Sequence, residues 1–169
     1  YSNYLEKTFL SRRFKYSQFK NHSKNKLDNN IFDISVAGKS FQERDIFLIK
    51  IGKGKKKIIF WSQMHGNESV ATLAILDILN FFKSKDNLDE NKEKILKDCT
   101  LYFLPLLNPD GAENFKRRNA QGIDLNRDAV TLTAPESKVL FNLIKNLKPD
   151  FGFNLHDQEL YYGVSDTGK

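Results

Sequence analysis

The stretch that most constrains this chain is residues 57–82, KIIFWSQMHGNESVATLAILDILNFF. Its first five residues are almost continuously apolar, the pattern of a strand buried on both faces. Over about 68–83 the apolar residues run nearly all round a helix, which must then be deeply packed. A doubly covered strand that feeds straight into a buried helix restricts the chain to layered α/β architectures. The join between them is Met64-His65-Gly66-Asn67-Glu68. A plain connection needs a turn residue and a cap, not an imidazole and a carboxylate three positions apart.

The remaining pattern fits the same architecture. Residues 31–63 read as three strands, with turns supplied by Gly38 and by the Gly52 and Gly54 region, and with alternation clearest at Phe47, Ile49 and Ile51. Residues 85–98 form a charged helix or loop. Residues 99–107 form a buried strand, punctuated by Asn108-Pro109-Asp110-Gly111. A second helix spans 133–149: Thr133 and Glu136 make a capping-box pattern, Leu140, Leu143, Ile144 and Leu147 share one face, and Pro149 closes it. A last strand ends at His156. The expected fold class is α/β, with a mixed, partly parallel central sheet flanked by helices. Residues 1–30 are expected as a basic arm, with or without a short helix, ahead of a domain over 31–169.

Composition narrows the partners. The net charge is +6 and the pI about 9.3, with lysines crowded at 53, 55, 56 and 57 and basic residues at Arg12, Arg13, Lys15, Lys20, Lys24 and Lys26. No nucleic-acid-binding motif accompanies them, so they read as solvated surface, and neither nucleic acid nor membrane is an expected partner. A basic rim can still draw an anionic substrate. No apolar run reaches the roughly 18 residues of a membrane helix. The first residues do not resemble a signal peptide, and the lone Cys99 reads as a buried structural thiol. Both favour the cytoplasm and leave the compartment open.

In sheets of this kind ligands gather at the carboxyl ends of strands. His65, the Asn108–Gly111 turn and His156 each follow an expected strand, so three distant segments can meet on one rim. Zinc takes nitrogen and carboxylate ligands, three of them in a typical catalytic site. His65 and Glu68 supply two, with Gly66 relieving the turn between them, and His156 is the third candidate. His22, in KNHSKNK, reads as solvated surface. The plainer alternatives are that Glu68 only favours the start of a helix and that His156 is a core histidine. Residues 108–128, NPDGAENFKRRNAQGIDLNRD, add Arg117, Arg118, Asn119, Asp124, Asn126 and Arg127. Guanidinium groups of this kind suit bidentate carboxylate binding or an oxyanion, and they also suit a salt-bridged surface loop.

Taken in order, HGNE, NPDG, RRNAQGIDLNR and FNLHD resemble the zinc carboxypeptidases of the carboxypeptidase A type, most closely their bacterial branches. The resemblance spans about 32–156. It implies one zinc ion held by His65, Glu68 and His156, a substrate carboxylate bound by Asn126 and Arg127, and a carbonyl polarised by Arg117, with Arg118 the alternative. It implies that Asp124 orients His65 from behind. Asn67 stands where animal digestive members carry an arginine, so that contact does not transfer. The implied reaction is hydrolysis of an amide bond next to a free C-terminal carboxylate, with zinc-bound water as nucleophile. The substrate is then a peptide or peptide-like molecule. The family's general-base glutamate and its substrate-side tyrosine lie on later segments. Glu159, Tyr161 and Tyr162 come too early to match them. The resemblance therefore implies the N-terminal part of a longer catalytic domain, with 169 residues alone binding zinc weakly or moderately and turning over poorly. Rival readings are an N-acyl amino acid deacylase of the succinylglutamate desuccinylase and aspartoacylase type, an inactive carboxylate-binding pseudo-peptidase, and a basic nucleic-acid binder.

Overall fold

The computed structural model describes residues 2–9, 11, 13–26 and 31–157. Glu159, Tyr161 and Tyr162 lie outside them. The elements are α1 (Tyr16–Lys26), β1 (Asp33–Lys39), β2 (Asp45–Gly52), β3 (Lys56–Ser62), α2 (Val70–Lys83), α3 (Asp89–Asp98), β4 (Cys99–Leu104), α4 (Pro109–Glu113), α5 (Pro135–Leu147) and β5 (Phe151–Leu155). The five strands make one sheet in the order β1-β2-β4-β3-β5. β1, β2 and β4 pair antiparallel, whereas β3 is parallel to both β4 and β5.

Alternation along the central strands divides the core in two. Ile58, Phe60, Leu101 and Phe103 face one side with Ile75, Leu76 and Leu79 of α2; Ile59, Trp61, Tyr102 and Leu104 face the other with Leu140 of α5. This explains the unbroken apolar run of β3, since both of its faces are covered. A second layer explains why α2 is apolar nearly all round. The N-terminal segment packs on its outer side: Tyr4 meets Phe81 edge-on at 5.2 Å, and the Glu6 backbone N–H donates to Asp77 at 2.6 Å. Phe14, Tyr16 and Phe19 of this basic segment are buried in the same core cluster.

Several local expectations are corrected. Gly38 lies inside β1 at a bulge rather than at a turn. A side chain there would collide with Val139, so glycine lets α5 settle on the strand. α2 begins at Val70, which leaves Glu68 in the preceding turn, its N–H donating to the His65 carbonyl at 3.0 Å. The Thr133–Glu136 capping box does not form: Ala134 is the N-cap without a side-chain bond. Glu136 instead turns inward, accepting from the Phe41 N–H and from Asn119. Burial raises its carboxyl above the ordinary range. The Asp128 carboxylate takes the backbone N–H groups of Thr133 and Ala134. His22 is buried against Glu6 at 3.3 Å, not solvated, because the N-terminal segment folds back onto α2. Cys99 is only partly buried.

β5 is an edge strand among the described elements. Phe153 stacks on Phe60 at 4.9 Å, and Phe60 stacks on Phe103 at 5.1 Å. The phenylalanine row thus crosses three strands and ends in solvent, with Phe153 46% exposed.

Candidate metal centre

Two strands deliver the metal-capable group at their carboxyl ends. After β3 the chain turns through Gln63, which is buried and holds a left-handed backbone at φ 49°. For a non-glycine residue this conformation costs of order 1 kcal/mol and persists only where neighbours enforce it. Here the Gln63 side chain donates to the Gly66 carbonyl at 2.7 Å and accepts from Thr72 at 2.8 Å. The turn places the buried His65 ring over Glu68. β5 brings His156 to the same spot.

The resulting contacts are short. His65 Nδ1 lies 2.7 Å from Glu68 Oε1, and His156 Nδ1 lies 2.8 Å from Glu68 Oε2. The two imidazole rings are 4.9 Å apart. One potential ligand atom from each of His65, Glu68 and His156 falls within 4.8 Å of the others, which makes this the metal-capable group among the described residues.

Protonation decides what such a cluster can hold. Burial pushes the Glu68 carboxyl up, but hydrogen bonds with His65 and His156 outweigh it and hold the pKa at about 2. Burial also pushes Asp124 up, and the bond and charge of His65, with the charge of Arg117, pull it net below its ordinary range. Asp124 Oδ1 sits 3.0 Å from His65 Nε2. An ionised Asp124 can only accept, so Nε2 carries the proton. Nδ1 then turns a lone pair toward an ionised Glu68 oxygen 2.7 Å away. At this separation the contact is a hydrogen bond when a second proton bridges it, and the same two atoms become free to act as metal ligands when that proton is lost. Two nitrogens and one carboxylate, two of them from one turn and the third from the end of β5, match the donor chemistry of zinc, so the residues fit the ion.

Arg117 crosses the same cluster. Its Nη1 donates to Glu68 Oε1 and its Nε to Asp124 Oδ2, each at 3.2 Å, while the side chain stays 47% exposed. Arg118 points elsewhere and closes its own loop on the Gly122 carbonyl at 2.9 Å. The resemblance places Arg117 first with Arg118 as the fallback, and the fold sends the two side chains in different directions. The Asn126 N–H caps Asp124 Oδ1 at 3.0 Å. The exposed Arg127 makes no side-chain bond among the described residues. It lines a cavity of about 560 Å³ together with Asp124, Ile123, Arg118 and Thr131.

Two contributors escaped the sequence reading. By sequence Gln63 reads as a strand end and Asn108 as turn punctuation. Both are buried polar side chains spent on backbone groups of the site, and the one sequence signal was a polar residue directly after a doubly buried strand.

A strand-end cluster of this composition, on a mixed α/β sheet, is a group that could hold a metal ion. The family model described as zinc carboxypeptidase (peptidase M14) matches residues 22–129, and the chain belongs to that family. Carboxypeptidase SOL1 of Arabidopsis thaliana is 29% identical over 103 residues, covering 55% of this chain and 21% of the relative. The metallo-carboxypeptidase of Burkholderia cenocepacia superimposes with a TM-score of 0.77 at 20% identity, over 86% of this chain and 41% of that one. The metallo-carboxypeptidase of Pseudomonas aeruginosa, in complex with (2-guanidinoethylmercapto)succinic acid, has a TM-score of 0.74 at 25% identity, over 86% and 40%. This chain therefore spans about a fifth of the curated relative and about two fifths of the solved chains.

Proposed function

We propose that the site hydrolyses the amide bond next to a free C-terminal carboxylate, using one zinc ion held by His65, Glu68 and His156. The observation that carries this reading is the meeting of a turn carboxylate with two imidazoles, one of them 88 residues away, within ion-binding distance. The family supports it. So does the dicarboxylic acid on the P. aeruginosa relative, as a precedent for carboxylate reading. Bound zinc supplies Lewis acidity, which acidifies water and polarises a carbonyl.

The chain's own residues do the rest. Asp124 fixes the His65 ring so that Nδ1 faces Glu68. Arg127, with Asn126, grips the substrate carboxylate, and the adjoining cavity takes the terminal residue. Arg117 is exposed enough to turn from Glu68 and Asp124 toward an oxyanion developing on the scissile carbonyl. Glu68 and Asp124 are both occupied by imidazole and guanidinium, so neither is free to take the proton from water.

The test is metal analysis of the purified protein, followed by a panel of C-terminal peptides, a peptidoglycan stem peptide and N-acyl amino acids. One zinc per chain with release of C-terminal residues supports the reading. Cleavage of N-acyl amino acids alone, or carboxylate binding with no zinc retained, overturns it.

A further inference from the structure

Asn108 is fully buried with both hydrogens of its side chain engaged, and none of its side-chain hydrogen bonds goes to the candidate metal ligands' side chains. Its Nδ2 donates to the Met64 carbonyl at 3.1 Å and to the Arg117 carbonyl at 3.3 Å. Its Oδ1 accepts from the Gly111 N–H at 2.9 Å. Its own backbone N–H donates to the Gln63 carbonyl at 3.1 Å. The Arg117 carbonyl receives a further bond from the Gly66 N–H at 3.3 Å. One side chain thus ties together the residue before His65, the turn of α4 and the residue that carries the cluster's guanidinium.

The backbones around it are packed to contact. A Cβ on Gly66 would lie 2.1 Å from the Gly111 carbonyl carbon, and one on Gly111 would lie 2.7 Å from the Lys116 carbonyl oxygen. Glycine at both positions lets the three segments close on the amide. The two carbonyls that Asn108 satisfies belong to Met64, one residue before the proposed ligand His65, and to Arg117 itself. Its NH₂ group therefore joins a backbone carbonyl of the metal turn to one of the arginine loop.

We propose that Asn108 is a positioning residue that sets the distance between the His65–Glu68 turn and Arg117, and so acts through them on metal affinity and on the reacting carbonyl. This rests on the functional reading above. The informative substitution is Asn108→Asp. It keeps the acceptor for Gly111 but sets an oxygen against two carbonyls, which pushes the two segments apart.

The test is a double-mutant cycle of Asn108→Asp and Arg117→Ala, read by zinc affinity in chelator competition and by turnover per bound zinc. Amide exchange at the Gly66 N–H is followed in parallel. Displacing a supporting hydrogen bond is expected to weaken zinc by about 10-fold and to speed Gly66 exchange by a similar factor. In the Arg117→Ala background, Asn108→Asp is expected to change turnover less than 2-fold, because coupled residues are not additive. Full additivity in the cycle, or unchanged Gly66 exchange in Asn108→Asp, overturns the proposal. If the wild-type protein binds no zinc, the functional reading fails, and Gly66 exchange alone decides whether Asn108 is the clamp.

Discussion

His22 and His65 are both buried, and each has a glutamate oxygen within ion-pair distance: Glu6 at 3.3 Å and Glu68 at 2.7 Å. Their surroundings separate them. The His22 pair joins the N-terminal segment to α2, with Asn80 also donating to Glu6. The His65 pair has a second imidazole on the far oxygen of the same carboxylate, an ionised aspartate behind the ring and an exposed guanidinium alongside. A buried histidine–carboxylate contact is thus a fastener by default. It becomes a candidate centre when further donors converge and a cavity opens beside them.

The sharpest way to break this comparison is metal binding. His65→Ala, Glu68→Ala and His156→Ala are each expected to weaken zinc by on the order of 100-fold or more, since three ligands are the minimum set. His22→Ala is expected to stay within about 2-fold. Isothermal titration of the four variants checks this, and equal losses for His22 and His65 would erase the distinction. Next in size is stability. Removing one partner of a buried hydrogen-bonded contact costs about 2 kcal/mol, so Glu6→Ala should lower Tm by about 6 °C in a domain of this size. Its zinc affinity should not move.

Acid denaturation sharpens the same contrast. Burial raises the Glu6 carboxyl, but bonds from Thr8 and Asn80 and the charge of His22 bring it down from 4.5 to about 2. A depressed folded pKa contributes stability that is complete above pH 4.5 and is lost as pH falls toward 2. Urea unfolding between pH 2 and 6 should therefore show a shallower acid limb for Glu6→Gln than for wild type, and identical slopes would refute the linkage. The smallest effect concerns the paired arginines. Arg117→Ala should change zinc affinity by about 3-fold through its bond to Glu68, whereas Arg118→Ala should leave it within error.

Much of this was legible in the sequence, for reasons that can be located. The β3 run and the α2 pattern expose their burial because a strand covered on both faces admits few polar residues. His65, Glu68 and His156 stand out because they occupy strand ends, where a core has no use for them. What stayed hidden depends on tertiary docking. Polar neighbours surround His22, and its burial comes from an N-terminal segment that folds onto a helix far along the chain. Thr133 and Glu136 fit a cap by spacing, yet the Phe41 N–H and Asn119 compete for Glu136 and win it. Asn108 looked like the start of a turn, and it is one. Spacing could not reveal that its amide also reaches Met64 and Arg117.

The place of β5 in the sheet carries a consequence for how the centre forms. Two of its three donors lie within one turn and come together as soon as that turn folds. The third rides on β5, which among the described elements pairs with β3 alone. An ion gripped by all three would tie β5 to the turn that follows β3, so metal binding and the β3–β5 pairing should be coupled, and chelation should loosen that pairing.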